Sequence, residues 1–225
     1  MPANIVRLAK QLAARWPGRA GILNTAGTGP TPPGELSHAL DNGRYASWAH
    51  GKPWSEHAFC VALRWCERQP TPLSWVAVPD VVLDGTATLK EWDVWAGKLK
   101  ADWGFPLALC VQNGITPADL SKLDPYPDVV FIGGTTSWKW RALRLWTAAH
   151  PRIHVGRVNS ERLLWMAHRA GVESTDGTGW ARTGTECLEK ARLRGLVRYL
   201  DRSSRGLPEN DRVSLLDLVR PEGQS

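Results

Sequence analysis

Apolar residues in this chain gather into short runs at a steady interval: GILNTA (21–26), HAL (38–40), WVAV (75–78), PLALCVQ (106–112), DVVFIGG (128–134), IHVGRV (153–158) and VEST (172–175). Each run is brief, nearly continuous and rich in aliphatic side chains, the pattern of strands buried on both faces of a parallel sheet. Helical patterns lie between them. Over 89–100, Leu89, Trp92, Trp95 and Leu99 recur on one face. Ser160 stands where a side chain caps a helix over 161–170, and Gly171 stands where a left-handed residue closes it. The N-terminal stretch MPANIVRLAKQLAARW reads as an amphipathic helix, since it has no uninterrupted apolar core of a secretory signal.

Alternation of strand and helix predicts right-handed βαβ crossovers. Seven visible strands and no GxGxxG after the first favour an α/β, TIM-like (β/α)8 barrel over an open doubly wound sheet. The barrel is expected over 1–185, with a basic C-terminal helix and tail over 186–225 packing on it. Ligand sites of such folds form at the C-terminal ends of the strands. Three segments place an Asp there, where an apolar run gives way to a glycine-rich loop or a turn: LDNGRY (Asp41), VAVPD (Asp80) and ESTDGTGW (Asp176).

Asp176 has a Gly on its C-terminal side and a second two residues on, which leaves its carboxylate uncrowded; Asp-Gly is also a plain turn signal. A carboxylate at a strand end can attack an anomeric carbon and form a covalent glycosyl intermediate. Asp41, followed closely by Gly43, is either an Asx turn or a general acid/base. Asp80 interrupts an apolar stretch; an unpaired carboxylate facing a pocket there would accept hydrogen bonds from a purine N–H edge. Gln112 carries the donor and acceptor needed to read a base edge, or is a satisfied structural amide. Gly133 and Gly134 would offer backbone N–H groups to a flat ligand. Arg157 and Asn159 precede a helix N-terminus; Arg157 reads as a phosphate contact or a salt bridge at the rim of the core.

Composition narrows the chemistry. With 225 residues and 43% hydrophobic content the chain can bury a substantial core, and no apolar stretch approaches the roughly 20 residues that span a membrane. A cytoplasmic location is the expectation. The four cysteines lack CxxC spacing and the six histidines lack HxH or HExxH spacing, so neither disulfides nor a metal site is expected. Cys110 reads as a small buried hydrophobe and His154 as packed in its strand. The absence of GxSxG and GxxxxGK[ST] leaves a metal-free, cofactor-free carboxylate mechanism. A net charge of +6, carried mostly by Arg, suits phosphate contacts. Thirteen tryptophans exceed ordinary usage; most are expected in the core, with Trp48, Trp138 or Trp180 available to stack on a base.

Taken together, LDNGRYASWAHGKPW, PLALCVQNGITPADL, DVVFIGGTTSWKW, HVGRVNSERL and STDGT resemble, in order, the strand ends of the tRNA-guanine transglycosylase superfamily. The nearer likeness is to its DNA-acting branch, the phage and bacterial 7-deazaguanine DNA transglycosylases. The resemblance spans about residues 38–182. It implies Asp176 as nucleophile at C1′ of a guanosine nucleotide, Asp41 as acid/base, and Asp80, Gln112, Gly133, Gly134 and Gly43 around the purine. It further implies guanine-containing DNA and a free 7-deazaguanine base such as preQ0 as partners. On that reading Lys190, Arg192, Arg194 and Arg198 of the basic helix hold the phosphate backbone. Two departures stand out. The chain has no residues for the Cys/Cys/Cys/His zinc subdomain of the transfer-RNA enzymes, and Asp41 is followed by Asn-Gly-Arg-Tyr where the family usually has Ser-Gly-Ala-Phe. Without a zinc-linked dimer module, a monomer is expected. A nucleosidase-like N-glycoside hydrolase and a non-catalytic nucleic-acid-binding barrel are the alternative readings.

Overall fold

The computed structural model describes residues 3–180 and 186–207. Their elements run α1 (Ala3–Arg15), β1 (Gly21–Thr25), β2 (Ser37–Asp41), α2 (Arg44–Ala49), α3 (Glu56–Glu67), β3 (Leu73–Ala77), α4 (Gly85–Trp103), β4 (Leu107–Val111) and α5 (Pro117–Leu120). The chain continues through β5 (Val129–Ile132), α6 (Thr136–Ala149), β6 (Ile153–Val155), α7 (Glu161–Arg169), β7 (Ser174–Thr175), a 3-10 turn (Thr178–Trp180) and α8 (Glu186–Ser204). All seven apolar runs form strands, hydrogen-bonded in sequence order from β1 to β7. The pairings β1–β2, β2–β3, β3–β4 and β6–β7 are parallel. The protein is therefore α/β with a seven-stranded parallel sheet. No helix among the described residues is long and apolar enough to cross a membrane.

The chain divides into two compact units, Met1–Phe131 and Ile132–Ser225. In the first, one face of the strands carries Ala39, Trp75, Ala77, Ala108, Cys110 and Val129, with Leu23 and Phe131 against them. Trp75 and Phe131 meet edge-on, ring centroids 5.7 Å apart; small alanines beside two large rings let this layer fill without voids. The alternate residues Leu40, Val76, Leu107, Leu109 and Val111 are also buried, as are Phe59 and Leu63 of α3 and Trp92, Ala96 and Leu99 of α4. Burial on both faces explains why these strands read as continuous apolar runs. Asp84 caps α4 by accepting from the Ala87 N–H at 2.9 Å, and Cys110 is buried in the core.

In the second unit α6 buries Trp140, Leu143 and Trp146, and α7 buries Leu164 and Trp165. The Ser160 hydroxyl accepts from Leu163 N–H at 3.3 Å, starting α7, and Gly171 takes φ +81° beyond its end. Helix α8 lies along α7, where Tyr199 meets Trp165 edge-on at 5.1 Å. Trp16, Trp75, Trp92, Trp140, Trp146, Trp165 and Trp180 are buried, so most of the tryptophan excess is core. Trp180 is buried, which leaves it no open face for stacking.

Candidate functional site

The candidates other than the basic residues of α8 stand at or past the C-terminal ends of strands. In the first unit, parallel β2, β3 and β4 bring Asp41, Asp80 and Gln112 to one edge. Asp80 is 5% exposed. The expectation of an unpaired carboxylate is corrected here: Oδ1 accepts from Asn42 Nδ2 at 2.9 Å and Oδ2 from Gln112 Nε2 at 2.7 Å. A charge this deep is tolerated only with donors on both oxygens. Burial still dominates and pushes the Asp80 carboxyl above its ordinary value, against the lowering effect of Asn42, Gln112 and Arg44.

Each amide is itself anchored. Asn42 Nδ2 also donates to the Val78 carbonyl at 2.9 Å, and its Oδ1 accepts from Arg44 N–H at 2.8 Å. Gln112 Oε1 accepts from Leu83 N–H at 3.1 Å. Asn42 was not among the expected site residues, because LDNG reads locally as a turn and its partner lies far along the chain. Asp41 Oδ1 accepts from Gly43 N–H at 2.6 Å, so the Asx turn is present. Gly43 sits at φ +82°, and a Cβ there would lie 2.6 Å from the Ala26 carbonyl oxygen; only Gly fits. Arg44 is drawn to its own partners: its guanidinium lies 4.1 Å over the Trp54 ring and meets Glu91 Oε2 at 3.0 Å. Trp54 closes the brace by donating to the Asn42 carbonyl at 2.8 Å. The Cys110 thiol is raised well above its ordinary range by burial and by the charges of Asp80 and Asp41, which makes it a poor nucleophile.

In the second unit β6 and β7 run parallel with His154 opposite Ser174. Asp176 follows β7, its side chain 23% exposed. His154 Nε2 lies 3.1 Å from Asp176 Oδ1, and the Arg157 N–H donates to the same oxygen at 3.3 Å. His154 Nδ1 lies 2.8 Å from the Ser174 hydroxyl. Burial opposes the charge on Asp176, but the hydrogen bond and charge of His154, the Arg157 N–H and the Lys139 ammonium outweigh it and hold the carboxyl below its ordinary value. Asp176 is thus ionised at neutral pH. His154 Nε2 then donates to it. His154 is buried in its strand as expected, yet it also contacts Asp176, which the spacing of the histidines did not suggest.

The loops around Asp176 are held by residues expected to touch ligand. Arg157 is a non-glycine residue at φ +63°, and its Nη2 donates to the Gly134 carbonyl at 2.7 Å. Gly133 and Gly134 follow β5 directly, with Gly134 at φ +67°. Asn159 Oδ1 accepts from Gly179 N–H at 2.7 Å, fastening the TDGTG loop to the one after β6. Lys139, only 2% exposed, was missed. Its signal was available: it shares a helical stripe with Leu143 and Trp146, an unusual place for a cation. On α8, Arg198 meets Glu161 Oε2 at 2.5 Å, Arg192 Nη1 donates to the Gly179 carbonyl at 3.4 Å, and Arg194 is exposed. The Lys190 side chain lies outside the described residues. No group of three or more His, Cys, Asp or Glu able to hold a metal occurs among the described residues.

No protein-family model matches the sequence, and no curated protein matches it.

Proposed function

We propose that the protein is a minimal (β/α)8-type transglycosylase that exchanges guanine in DNA for a free 7-deazaguanine base, with Asp176 as its nucleophile. The observation that carries this reading is the state of Asp176: ionised, partly exposed and, among the described residues, held through Oδ1 by His154 and the Arg157 N–H. Neither donor reaches Oδ2, the oxygen suited to attack an electrophilic carbon while the carboxylate stays oriented.

In the first step Asp176 Oδ2 bonds to C1′ as the C1′–N9 bond breaks; the departing guanine takes the bonding pair and a proton, the role of acid falling to the protonated form of Asp41. In the second, the incoming base gives its proton to Asp41, its nitrogen bonds to C1′, and the bond to Asp176 breaks. Two displacements retain the configuration at C1′. Asp80, held by Asn42 and Gln112, is the acceptor for the purine N1–H and exocyclic amine on this reading. The target nucleotide must leave the stack, at a cost of a few kcal/mol, which exposed Trp48 would help to offset by stacking.

Incorporation of radiolabelled guanine into guanine-containing DNA, with transfer RNA alongside and Asp176→Ala as control, tests the reading. Label in DNA that requires Asp176 supports it. Label in transfer RNA overturns the choice of polymer, and release of guanine without incorporation identifies a hydrolase.

A further inference from the structure

Lys139 occupies a position that three effects disfavour. It is almost fully buried, it lies in the first turn of α6 where the helix end is itself positive, and the Arg157 guanidinium stands nearby. Burial and Arg157 together push its ammonium down to about 8, despite the opposing charge of Asp176. Such a group is a candidate for function rather than for stability.

Its contact shows what it can do. Lys139 Nζ donates to the carbonyl oxygen of Gly156. The N–H of that same peptide group belongs to Arg157 and donates to Asp176 Oδ1. A trans peptide points its C=O and N–H in opposite directions, so one amide is strung between a cation and a carboxylate with its dipole aligned to both. Each hydrogen bond in such a chain polarises the next. The alignment depends on the left-handed backbone of Arg157, a strain of order 1–3 kcal/mol that persists only when its surroundings impose it. Here the Arg157–Gly134 hydrogen bond and the Val158 N–H to Asp176 carbonyl hydrogen bond, 2.6 Å, do so.

We propose that Lys139 is a positioning residue for Asp176, acting through the Gly156–Arg157 peptide group to strengthen the N–H that holds Oδ1 and so orients the carboxylate. Buried as it is, Lys139 touches no substrate. Its charge keeps the carboxylate weakly basic, which favours the step in which Asp176 leaves C1′. The inference rests on the nucleophile assignment above, and its test is built to separate the two. Among the described residues, the titratable and charged groups around the relay are Lys139, Arg157, His154 and Asp176.

The experiment is carbon-detected NMR of the wild-type protein between pH 6 and 10, following the Gly156 carbonyl and Asp176 carboxyl carbons. Both should shift together with a midpoint of about 8, and Lys139→Met should abolish the step. Carbons that stay flat across this range in folded wild-type protein overturn the proposal. In the exchange assay, Lys139→Met should slow return of the base to C1′ about 10- to 100-fold and accumulate protein–DNA adduct, lowering KM for DNA along with kcat. Unchanged adduct and turnover would also overturn it. A protein that shows the NMR step but exchanges no guanine supports the relay and overturns the transglycosylase reading.

Discussion

Replacing Lys139 with methionine should stabilise the folded protein at neutral pH while impairing the site. The ammonium falls from its ordinary value of 10.5 to about 8 on folding. At about 1.4 kcal/mol per pH unit, holding the proton at pH 7 costs the folded state about 3 kcal/mol. Methionine fills a similar volume without charge, but it leaves the Gly156 carbonyl without its donor, a loss of about 1 kcal/mol. The net expectation is a gain of about 2 kcal/mol. The sign of the pH dependence is fixed by which state holds the proton. Between pH 8 and 10.5 the unfolded chain retains a proton that the folded protein has released, so wild-type stability attributable to this group rises with pH. The advantage of the variant therefore shrinks over that interval. Urea denaturation at pH 7 and pH 10 reads both quantities, the first as a midpoint about 1 M higher for the variant if the slope is about 2 kcal/mol/M. A variant that is less stable than wild type at pH 7, or a difference that does not narrow by pH 10, refutes the reasoning.

Asp80 gives the converse titration. Burial raises its carboxyl, so the folded state holds that proton more tightly than the unfolded chain does, and the associated stability is lost as pH rises from 3.8 through the folded value. Thermal melts from pH 4 to 7 should show Asp80→Asn gaining on wild type as pH rises. Gly179→Ala puts a methyl 2.7 Å from Asn159 Oδ1 and should break the Asn159–Gly179 bond, costing about 1–3 kcal/mol by denaturant titration. On α8, Arg194 is exposed whereas Arg198 is engaged by Glu161. Under the DNA-binding reading, Arg194→Ala should reduce the slope of log affinity against log salt by about 1 in a fluorescence titration, and Arg198→Ala by less.

The strands were legible in the sequence because both of their faces are buried, which leaves an uninterrupted apolar signature. The placement of Asp41, Asp80, Gln112 and Asp176 at strand ends followed from it. The partners of these residues were not legible. Asn42 at the end of β2 reaches Asp80 past the end of neighbouring β3, and His154 reaches Asp176 through the β6–β7 register, contacts that no local spacing encodes. Asn159 and Arg157 were expected at a ligand; they fasten the loops that carry Asp176. Lys139 was hidden by the habit of reading a lysine as solvated, although its helical stripe with Leu143 and Trp146 marked it as inward-facing.

The most direct test of the central claim is to trap the covalent intermediate. The protein is incubated with guanine-containing DNA, quenched with denaturant, digested, and the adducted peptide identified by mass spectrometry. The account predicts a base-less deoxyribose phosphate attached at C1′ through an ester to Asp176, absent in Asp176→Asn. An adduct on another residue, or guanine exchange in Asp176→Asn at the wild-type rate, would contradict it.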